Sequence, residues 1–316
     1  MPCYPSFAIL IPTRNRPSQI ANLLESLLAS TLRPLQIIII ASGEDIGNVV
    51  GSFAGRLPIT YHHTKVMGQV NQKKEGLGFL VEKSEWVVFL DDDLLVSSET
   101  FEVAFSTLFE QTGVNSKPIV GIGMKISSTT RIQGLSRFGH VLSRIFFLSS
   151  DTRGTILKSG QAVSYLEETL PIQTEWLNGA SIWQKDSAIA YGKLTSSSKY
   201  AAYEDVVFSY PQSKIGRLIF SPNSVLFFQD YSLSDFESKD IYESAAYLRM
   251  SFVLDNSELS PILCAWSQLG RSVFAAKQIG FTNLKYLFFL SQINWRLFLV
   301  AIKVKRIQDL LAKIST

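Results

Sequence analysis

Cysteine and histidine are scarce in this chain of 316 residues, which excludes several kinds of site. The two cysteines, Cys3 and Cys264, are too far apart for their spacing to indicate a disulfide framework or a thiolate metal centre. We therefore expect a reducing compartment. The three histidines, His62, His63 and His140, fit loop or surface positions better than metal-ligand positions.

Charge is also scarce, since only 18% of the residues are charged, against about 25% in an average protein, and 46% are hydrophobic. Such a chain folds around a sizeable core, and its length allows two or three packed units. The net charge of +3 is too small to indicate nucleic-acid binding. Residues 277–316 nevertheless hold seven basic side chains and one acidic one, so the sequence ends in a basic segment.

Long uninterrupted apolar runs are absent. The N-terminal segment lacks the basic stretch and the cleavage site of a signal peptide. The most apolar segment, 286–302, contains Ser291, Gln292, Asn294 and Arg296, which a membrane span would rarely tolerate. We expect a cytoplasmic protein without a membrane-spanning helix, and peripheral binding at the inner face of the membrane stays open.

Short apolar strands alternate with amphipathic helices in the first part of the chain. The order predicts an α/β fold with a mostly parallel central sheet and helices on both faces. Ligands of such sheets bind beyond the carboxyl ends of the strands, here at 13–16, 42–45 and 91–93. The strands are predicted at 7–11, 36–40, 59–62, 86–90 and 119–124, and the helices at 17–30, 69–83 and 98–112.

The pattern changes after residue 124. Ser, Thr, Gly and Arg are frequent in 127–171, which favours irregular hairpins and loops. A short helix at 203–208 and a strand at 217–228 follow. A C-terminal helical extension is then predicted, with helices at 239–254, 261–278 and 283–312.

Three consecutive aspartates, Asp91 to Asp93, follow the apolar strand at 86–90. Strand alternation would place Asp91 and Asp93 on one side and Asp92 on the other. Two converging carboxylates suit Mg²⁺ or Mn²⁺, which take oxygen ligands together with substrate phosphates. The alternative is an ordinary turn that caps the next helix.

A second acidic pair, Glu204 and Asp205, begins the predicted helix at 203–208. Acidic residues also stabilise a helix N-terminus without any chemical role. The upstream segment Trp176-Leu-Asn-Gly-Ala favours a binding role, since Gly179 permits close approach of a ligand and Trp176 can stack on a ring. Core packing is the alternative for Trp176.

Taken in order, these segments resemble the family 2 glycosyltransferases with a GT-A fold. The resemblance implies the inverting transfer of a hexosyl or deoxyhexosyl group from a nucleotide sugar to an acceptor hydroxyl. It further implies assistance by Mn²⁺ or Mg²⁺ and a place in cell-surface polysaccharide or glycolipid assembly. The landmarks are Ile9-Leu-Ile-Pro-Thr-Arg-Asn-Arg-Pro, Ile37-Ile-Ile-Ile-Ala-Ser-Gly, Val87-Val-Phe-Leu-Asp-Asp-Asp, Trp176-Leu-Asn-Gly and Tyr203-Glu-Asp-Val.

The resemblance also implies a role for individual residues of this chain. Asp205 would be the catalytic base, and Asp93 would hold the metal together with Asp91. Acceptor binding would involve Trp176, Asn178, Gly179 and Glu204. The nucleotide sugar would contact Pro12, Thr13, Arg14, Asn15, Arg16, Ser42, Glu44, Lys73, Asp91 and Asp92.

Two departures from the family pattern stand out. The second strand ends in Ala41-Ser-Gly-Glu where the family has an aspartate that contacts the nucleotide base, so Ser42 or Glu44 would replace it. Asp230 stands near the place of a metal-binding histidine. The landmarks divide the chain into a nucleotide-sugar-binding half at 1–115, an acceptor-binding and catalytic half at 116–233, and a helical extension at 234–316.

Two other functions remain as alternatives, a non-catalytic scaffold with the GT-A fold and a sugar nucleotidyltransferase. The second would need a glycine-rich phosphate loop after the first strand, and Pro12-Thr-Arg-Asn-Arg has no glycine. In the last helix a polar stripe runs along an apolar cylinder, which would pack on the protein core or on a lipid surface. Expected partners are thus a nucleotide-diphosphate sugar, a saccharide or lipid-linked acceptor and a membrane surface. The stripe consists of Lys285, Gln292, Arg296 and Lys303.

Overall fold

The chain forms a mixed α/β structure with one central sheet and a helical C-terminal region. The computed structural model describes residues 4–113, 117–127, 137–194, 202–229, 239–280, 282–303 and 305–315. The strands are β1 (Phe7–Arg14), β2 (Gln36–Ser42), β3 (Ile59–Thr64), β4 (Trp86–Phe89), β5 (Leu94–Val96), β6 (Ile119–Ser127), β7 (Ile172–Thr174), β8 (Ser181–Gln184) and β9 (Arg217–Phe228). The helices are α1 (Pro17–Leu28), α2 (Gly47–Gly51), α3 (Gln69–Leu77), α4 (Thr100–Gln111), α5 (Arg137–Ile145), α6 (Lys185–Ala190), α7 (Glu204–Ile215), α8 (Lys239–Asp255), α9 (Pro261–Ile279), α10 (Leu284–Ala301) and α11 (Gln308–Ser315).

The sheet has the strand order β3-β2-β1-β4-β8-β6-β9-β5, and β7 pairs with β9. The first four strands in this order are parallel, as the sequence predicts, and β6 is parallel to β9. By contrast, β8 runs antiparallel to both of its neighbours, and β5 and β7 run antiparallel to β9. The expected α/β fold is confirmed, and its parallel part is the block that carries the N-terminal landmarks.

The burial of β1 and β2 explains why both strands can be recognised from their amino-acid sequence. Every residue of β2 is buried, as are all but the last residue of β1, because strands covered on both faces need continuous apolar runs. Helix α1 contributes Ile20, Leu23, Leu24 and Leu27 to the same core, at the spacing of one helical face.

Several elements differ from the prediction. The segment 127–171 was expected to be irregular, yet α5 lies within it, with Phe138, Val141 and Ile145 at helical spacing on its exposed side. The predicted helix at 283–312 is two helices, α10 and α11. Lys303 adopts a left-handed conformation, with φ +62°, which ends α10 although neither glycine nor proline marks the break.

The chain divides into two compact units. Within the described residues, the first is drawn from 1–130, 165–196 and 204–232 and contains the sheet. The second is drawn from 131–164, 197–203 and 233–316 and contains α8 to α11. No helix in the described part of the chain is both long and apolar enough to cross a membrane. The domain boundaries at 115 and 233 stay predictions.

Candidate active site

The C-terminal ends of β1 and β2 and the loops that follow them are held together by two amide side chains. Nε2 of Gln72 in α3 donates to the carbonyl oxygens of Thr13 and Ile40, both at 2.8 Å. Oδ1 of Asn15 accepts a hydrogen bond from the backbone N–H of Glu44 at 2.8 Å. Gly43 has φ +80°, and a Cβ there would lie 2.2 Å from Oδ1 of Asn15, so this close approach requires glycine.

The three aspartates follow the end of β4 at Phe89, so strand alternation does not extend to them. Asp92 is buried and accepts hydrogen bonds from Oγ1 of Thr13 and Nη1 of Arg16, each at 2.7 Å. The same Arg16 nitrogen lies 3.3 Å from Oδ2 of Asp93. Arg16 therefore bridges Asp92 and Asp93, an arrangement that differs from the expected grouping of Asp91 with Asp93 alone.

The aspartate cluster fits a divalent cation. Burial, and then the neighbouring carboxylates of Asp91 and Asp92, raise the pKa of Asp93 to about 6. A cation would relieve this repulsion, and one or two carboxylates completed by substrate phosphates are a usual donor set for Mn²⁺ or Mg²⁺. The described residues contain no group of three His, Cys, Asp or Glu side chains able to hold a metal, so substrate oxygens would have to complete the coordination. Asp230 lies outside the described residues.

Lys73 lies between two carboxylates of the protein. Its side chain is almost fully buried, with Nζ 3.1 Å from Oε1 of Glu204 and 3.8 Å from Oδ1 of Asp91. Burial alone would lower the pKa of Lys73, but the attraction of Glu204 and Asp91 outweighs it and the net shift is upward. Lys73 therefore stays positively charged and offsets the negative charges of Glu204 and Asp91. Its predicted contact with the nucleotide stays a prediction.

Glu204 and Asp205 form the first turn of α7. Burial raises the pKa of Glu204, and Lys73 opposes that shift. Asp205 accepts a hydrogen bond from the backbone N–H of Val206 at 2.8 Å. Burial, and then the charge of Glu204, raise the pKa of Asp205 to about 7. A carboxylate with a pKa near neutrality is suited to accept a proton.

Asp205 lines a small cleft together with Asn178, Gly179 and Glu204, and the polar groups of this cleft are incompletely satisfied. Oδ1 of Asn178 has no hydrogen-bond partner among the described residues, whereas the hydroxyl of Tyr191 interacts with the carboxylate of Glu204. Gly179 lies against Asp91, because a Cβ there would be 3.0 Å from Oδ2 of Asp91. Buried polar atoms without partners are costly, and here they are available to a ligand.

The structure brings together most of the residues predicted for the site, with two qualifications. Asn178, Gly179, Glu204 and Asp205 line the cleft together with Lys73. Trp176 is absent from that lining and packs on Tyr165 at a centroid distance of 4.8 Å. Ser42 is buried, and its Oγ has no partner in the part of the chain that the structure describes.

Sequence reasoning missed Gln69, Gln72 and Tyr191. Gln69 donates to Oδ1 of Asp91, and Gln72 ties β1 to β2. A signal existed for the two glutamines, since Gln69, Gln72, Lys73 and Gly76 follow the helical spacing that apolar residues usually occupy. No comparable signal marks Tyr191, which belongs to a short 3₁₀ turn at Tyr191–Lys193.

Comparison with known proteins relates the chain to a family and to several solved structures. The family model described as Glycosyl transferase family 2 matches residues 8–157. No curated protein matches the chain. Among solved structures, S. aureus TarS is 16% identical with a TM-score of 0.52, covering 89% of this chain and 44% of TarS. This chain thus spans less than half of that TarS chain.

Two further structures resemble the chain over almost its whole length. S. aureus TarS 1–349 in complex with UDP-GlcNAc is 13% identical with a TM-score of 0.56, covering 98% of this chain and 90% of the other. The mannosyltransferase PcManGT from Pyrobaculum calidifontis, in complex with GDP-Man and Mn²⁺, is 12% identical with a TM-score of 0.54, covering 99% and 84%. At these identities the similarity shows the fold, which is of the GT-A type.

Proposed function

We propose that this chain, whose residues 8–157 belong to glycosyl transferase family 2, moves a sugar from a nucleoside-diphosphate sugar to an acceptor hydroxyl. The observation that carries the proposal is Asp205, a carboxylate whose pKa is raised to about 7 and which lines a cleft together with Asn178, Gly179 and Glu204. The relatives' complexes with UDP-GlcNAc and GDP-Man support a nucleoside-diphosphate donor.

Asp205 is the general base of the proposed reaction. The acceptor oxygen attacks the anomeric carbon while the bond from that carbon to the diphosphate oxygen breaks. Asp205 accepts the hydroxyl proton, and the nucleoside diphosphate leaves with the electron pair. A single displacement of this kind inverts the anomeric configuration. The negative charge of Glu204 raises the pKa of Asp205 and the positive charge of Lys73 lowers it, so that Asp205 can accept a proton near neutral pH.

The two neighbouring loops after β1 and β2 are the proposed nucleotide site. The last residues of the two strands belong to the site as well, so that Thr13, Arg14, Asn15 and Arg16 lie on one side and Ser42 and Glu44 on the other. Ser42 is the better replacement for the missing aspartate, because its buried Oγ has no partner among the described residues. Acceptor binding is assigned to Asn178, Gly179 and Glu204, with Trp176 nearby in sequence.

We assign the divalent cation to Asp93 and Asp91, with Mn²⁺ as the ion to test first, since the PcManGT complex contains it. When bound, it supplies neutralisation of the charge on the leaving diphosphate. Calorimetric titration with UDP, GDP, CDP and dTDP, each with and without Mn²⁺, is expected to show metal-dependent binding of one diphosphate. Asp93→Ala is expected to lose that dependence.

Transfer itself is tested with Asp205→Asn. We expect a loss of about 10²- to 10⁴-fold in kcat, with diphosphate binding retained. Asp186→Asn, an exposed acid in the first turn of α6, is the matched control and should behave like the wild type. Failure of a folded sample to bind any diphosphate would favour the scaffold, and release of pyrophosphate from a nucleoside triphosphate would favour the nucleotidyltransferase.

The finer assignment is a cytoplasmic enzyme that adds a hexose or deoxyhexose to a polysaccharide or lipid-linked acceptor at the membrane surface. One face of α10 buries Leu290, Ile293 and Leu297, so part of this helix packs on the protein. Leu284, Phe288 and Trp295 are exposed, close in sequence to basic Lys285. We expect binding to anionic vesicles that weakens with salt and with the variant Phe288→Ser/Trp295→Ser. Absence of vesicle binding at low salt would contradict this assignment.

A further inference from the structure

Two arginine side chains of the helical unit converge on one neutral oxygen atom. Nη1 of Arg249 in α8 lies 3.4 Å from Oε1 of Gln161, and Nε of Arg271 in α9 lies 3.2 Å from the same atom. Arg249 also donates to Oε1 of Gln268 at 2.8 Å. All four residues belong to the second compact unit. The acceptors of both guanidinium groups are uncharged amides.

The two guanidinium groups have no carboxylate partner among the residues that the structure describes. In the described ranges, no Asp or Glu forms an ion pair with Arg249 or Arg271. Arg249 is 1% exposed, and its Nε has no hydrogen-bond partner among the described residues. Buried arginines are almost always paired with an acid, because an isolated charge loses its hydration without compensation. Within the described part of the chain, two positive charges therefore lie together without a matching negative charge.

The electrostatics of the pair agree with this geometry. Burial, and then the charge of Arg249, lower the pKa of Arg271 to about 10. Arg249 is buried and Arg271 is half-buried, and both guanidinium groups contact the neutral amide of Gln161.

Helix α9 and the turn that ends at Gln161 bring these side chains together. Gln268 and Arg271 are three residues apart on α9 and therefore share a face. Gln161 closes a tight turn, in which the N–H of Leu157 donates to the carbonyl oxygen of Gln161 at 2.9 Å. Within this turn Gly160 has φ +75°, and a Cβ there would lie 2.5 Å from Cγ2 of Val253 in α8. The turn thus lies directly against the helix that carries Arg249.

We propose that Arg249 and Arg271 bind a phosphate group, either as a phosphate ester or as inorganic phosphate. The charge of a phosphate monoester, about −1.5 to −2, matches two guanidinium groups. The guanidinium fork donates in parallel to phosphate oxygens, which an ammonium group cannot do. This site is separate in its residues from the proposed transfer chemistry, so each proposal can fail without the other.

The test is thermal unfolding of the full chain during titration with inorganic phosphate at constant ionic strength. We expect the wild-type Tm to rise by several degrees, because phosphate would bind the folded state only. Arg271→Gln should abolish the rise. Arg271→Lys keeps the positive charge but lacks the two parallel donors of a guanidinium group, so it should reduce the rise in Tm. If Arg271→Gln does not fold, Arg271→Lys serves as the test variant instead.

Three controls make the test decisive. Lys285→Gln removes one exposed positive charge elsewhere and should retain the full rise. Arg16→Gln alters the candidate active site and should also retain it. Loss of the rise in Arg16→Gln but not in Arg271→Gln, or an equal rise with acetate, would overturn the proposal. Binding to phosphatidate vesicles distinguishes the two sources of the phosphate group. If the wild type binds these vesicles and Arg271→Gln does not, the ligand is a lipid headgroup. If only inorganic phosphate has an effect, the ligand is a soluble phosphate.

Discussion

Lys73 neutralises Asp91 and Glu204 from a position that solvent hardly reaches. We predict that Lys73→Met destabilises the protein by about 3–5 kcal/mol, because two carboxylates lose their buried cation. Urea unfolding measures the change. The double variant Lys73→Met/Glu204→Gln should recover a large part of the loss, and Lys65→Met, at an exposed position, should be nearly neutral. A small effect of Lys73→Met would show that the ion pairs contribute little.

Asp205 determines the predicted pH dependence of transfer. A base must be deprotonated, and the pKa of Asp205 is raised to about 7 by burial and by Glu204. We therefore predict that kcat/KM is maximal above pH 7 and falls about tenfold per pH unit below it. A profile that stays flat down to pH 5 at saturating Mn²⁺ would contradict the role of Asp205 as base.

At the scale of secondary-structure elements, α3 joins the fold to the site. Its buried face places Gln72 against β1 and β2 and Lys73 in the cleft, and Gly76 lets the helix approach the sheet. A Cβ at Gly76 would lie 2.8 Å from Cδ1 of Leu10 and 3.1 Å from Cγ1 of Ile40. The helix therefore has no room for a larger residue at this point.

We predict that Gly76→Val destabilises the protein by about 1–3 kcal/mol through overpacking. Because α3 would shift away from β1 and β2, the hydrogen bonds of Gln72 would weaken and the KM for the donor should rise. Thermal unfolding and donor kinetics measure both effects. Gly51→Ala is the control, since no atom lies within 4 Å of its added Cβ, and it should change stability by less than about 1 kcal/mol.

At the scale of the whole molecule, the ionised carboxylate of Asp205 lowers the stability of the fold at the pH at which it acts as a base. The pKa of Asp205 is about 7 in the folded protein against 3.8 as its ordinary value. Its contribution is therefore fully present below pH 3.8 and is lost as the pH rises through 7. We predict that Asp205→Asn is more stable than the wild type by about 1–3 kcal/mol at pH 8.

The check is the difference in Tm between Asp205→Asn and the wild type at pH 5 and pH 8. The gap should widen with pH, while Asp186→Asn should show no such trend. Equal stability of the two proteins at pH 8 would mean that Asp205 is better solvated than its burial indicates.

The sequence by itself determined the parallel strands β1 to β4, the helix α1 and the strand β9. These elements depend on burial patterns of nearby residues, such as the isoleucines of β2, which are visible in sequence. It also determined the order of the landmarks, and hence the resemblance that the family match over 8–157 confirms. The strand β8 was missed because its sequence, Ser181-Ile-Trp-Gln184, lacks the continuous apolar run that marks the equally short β4.

Only the tertiary structure decided which polar groups meet. Lys73 and Glu204 are separated by 131 positions, and Arg249 and Gln161 by 88, yet each pair is in contact. The pKa of Asp205 is raised first by burial, which depends on the packed chain, and then by the charge of its sequence neighbour Glu204. Two groups from other elements also act on it, since Lys73 lowers this pKa and Asp91 raises it. Burial and charge proximity are properties of the packed chain, so local sequence patterns contain the residues of the site but not their electrostatics.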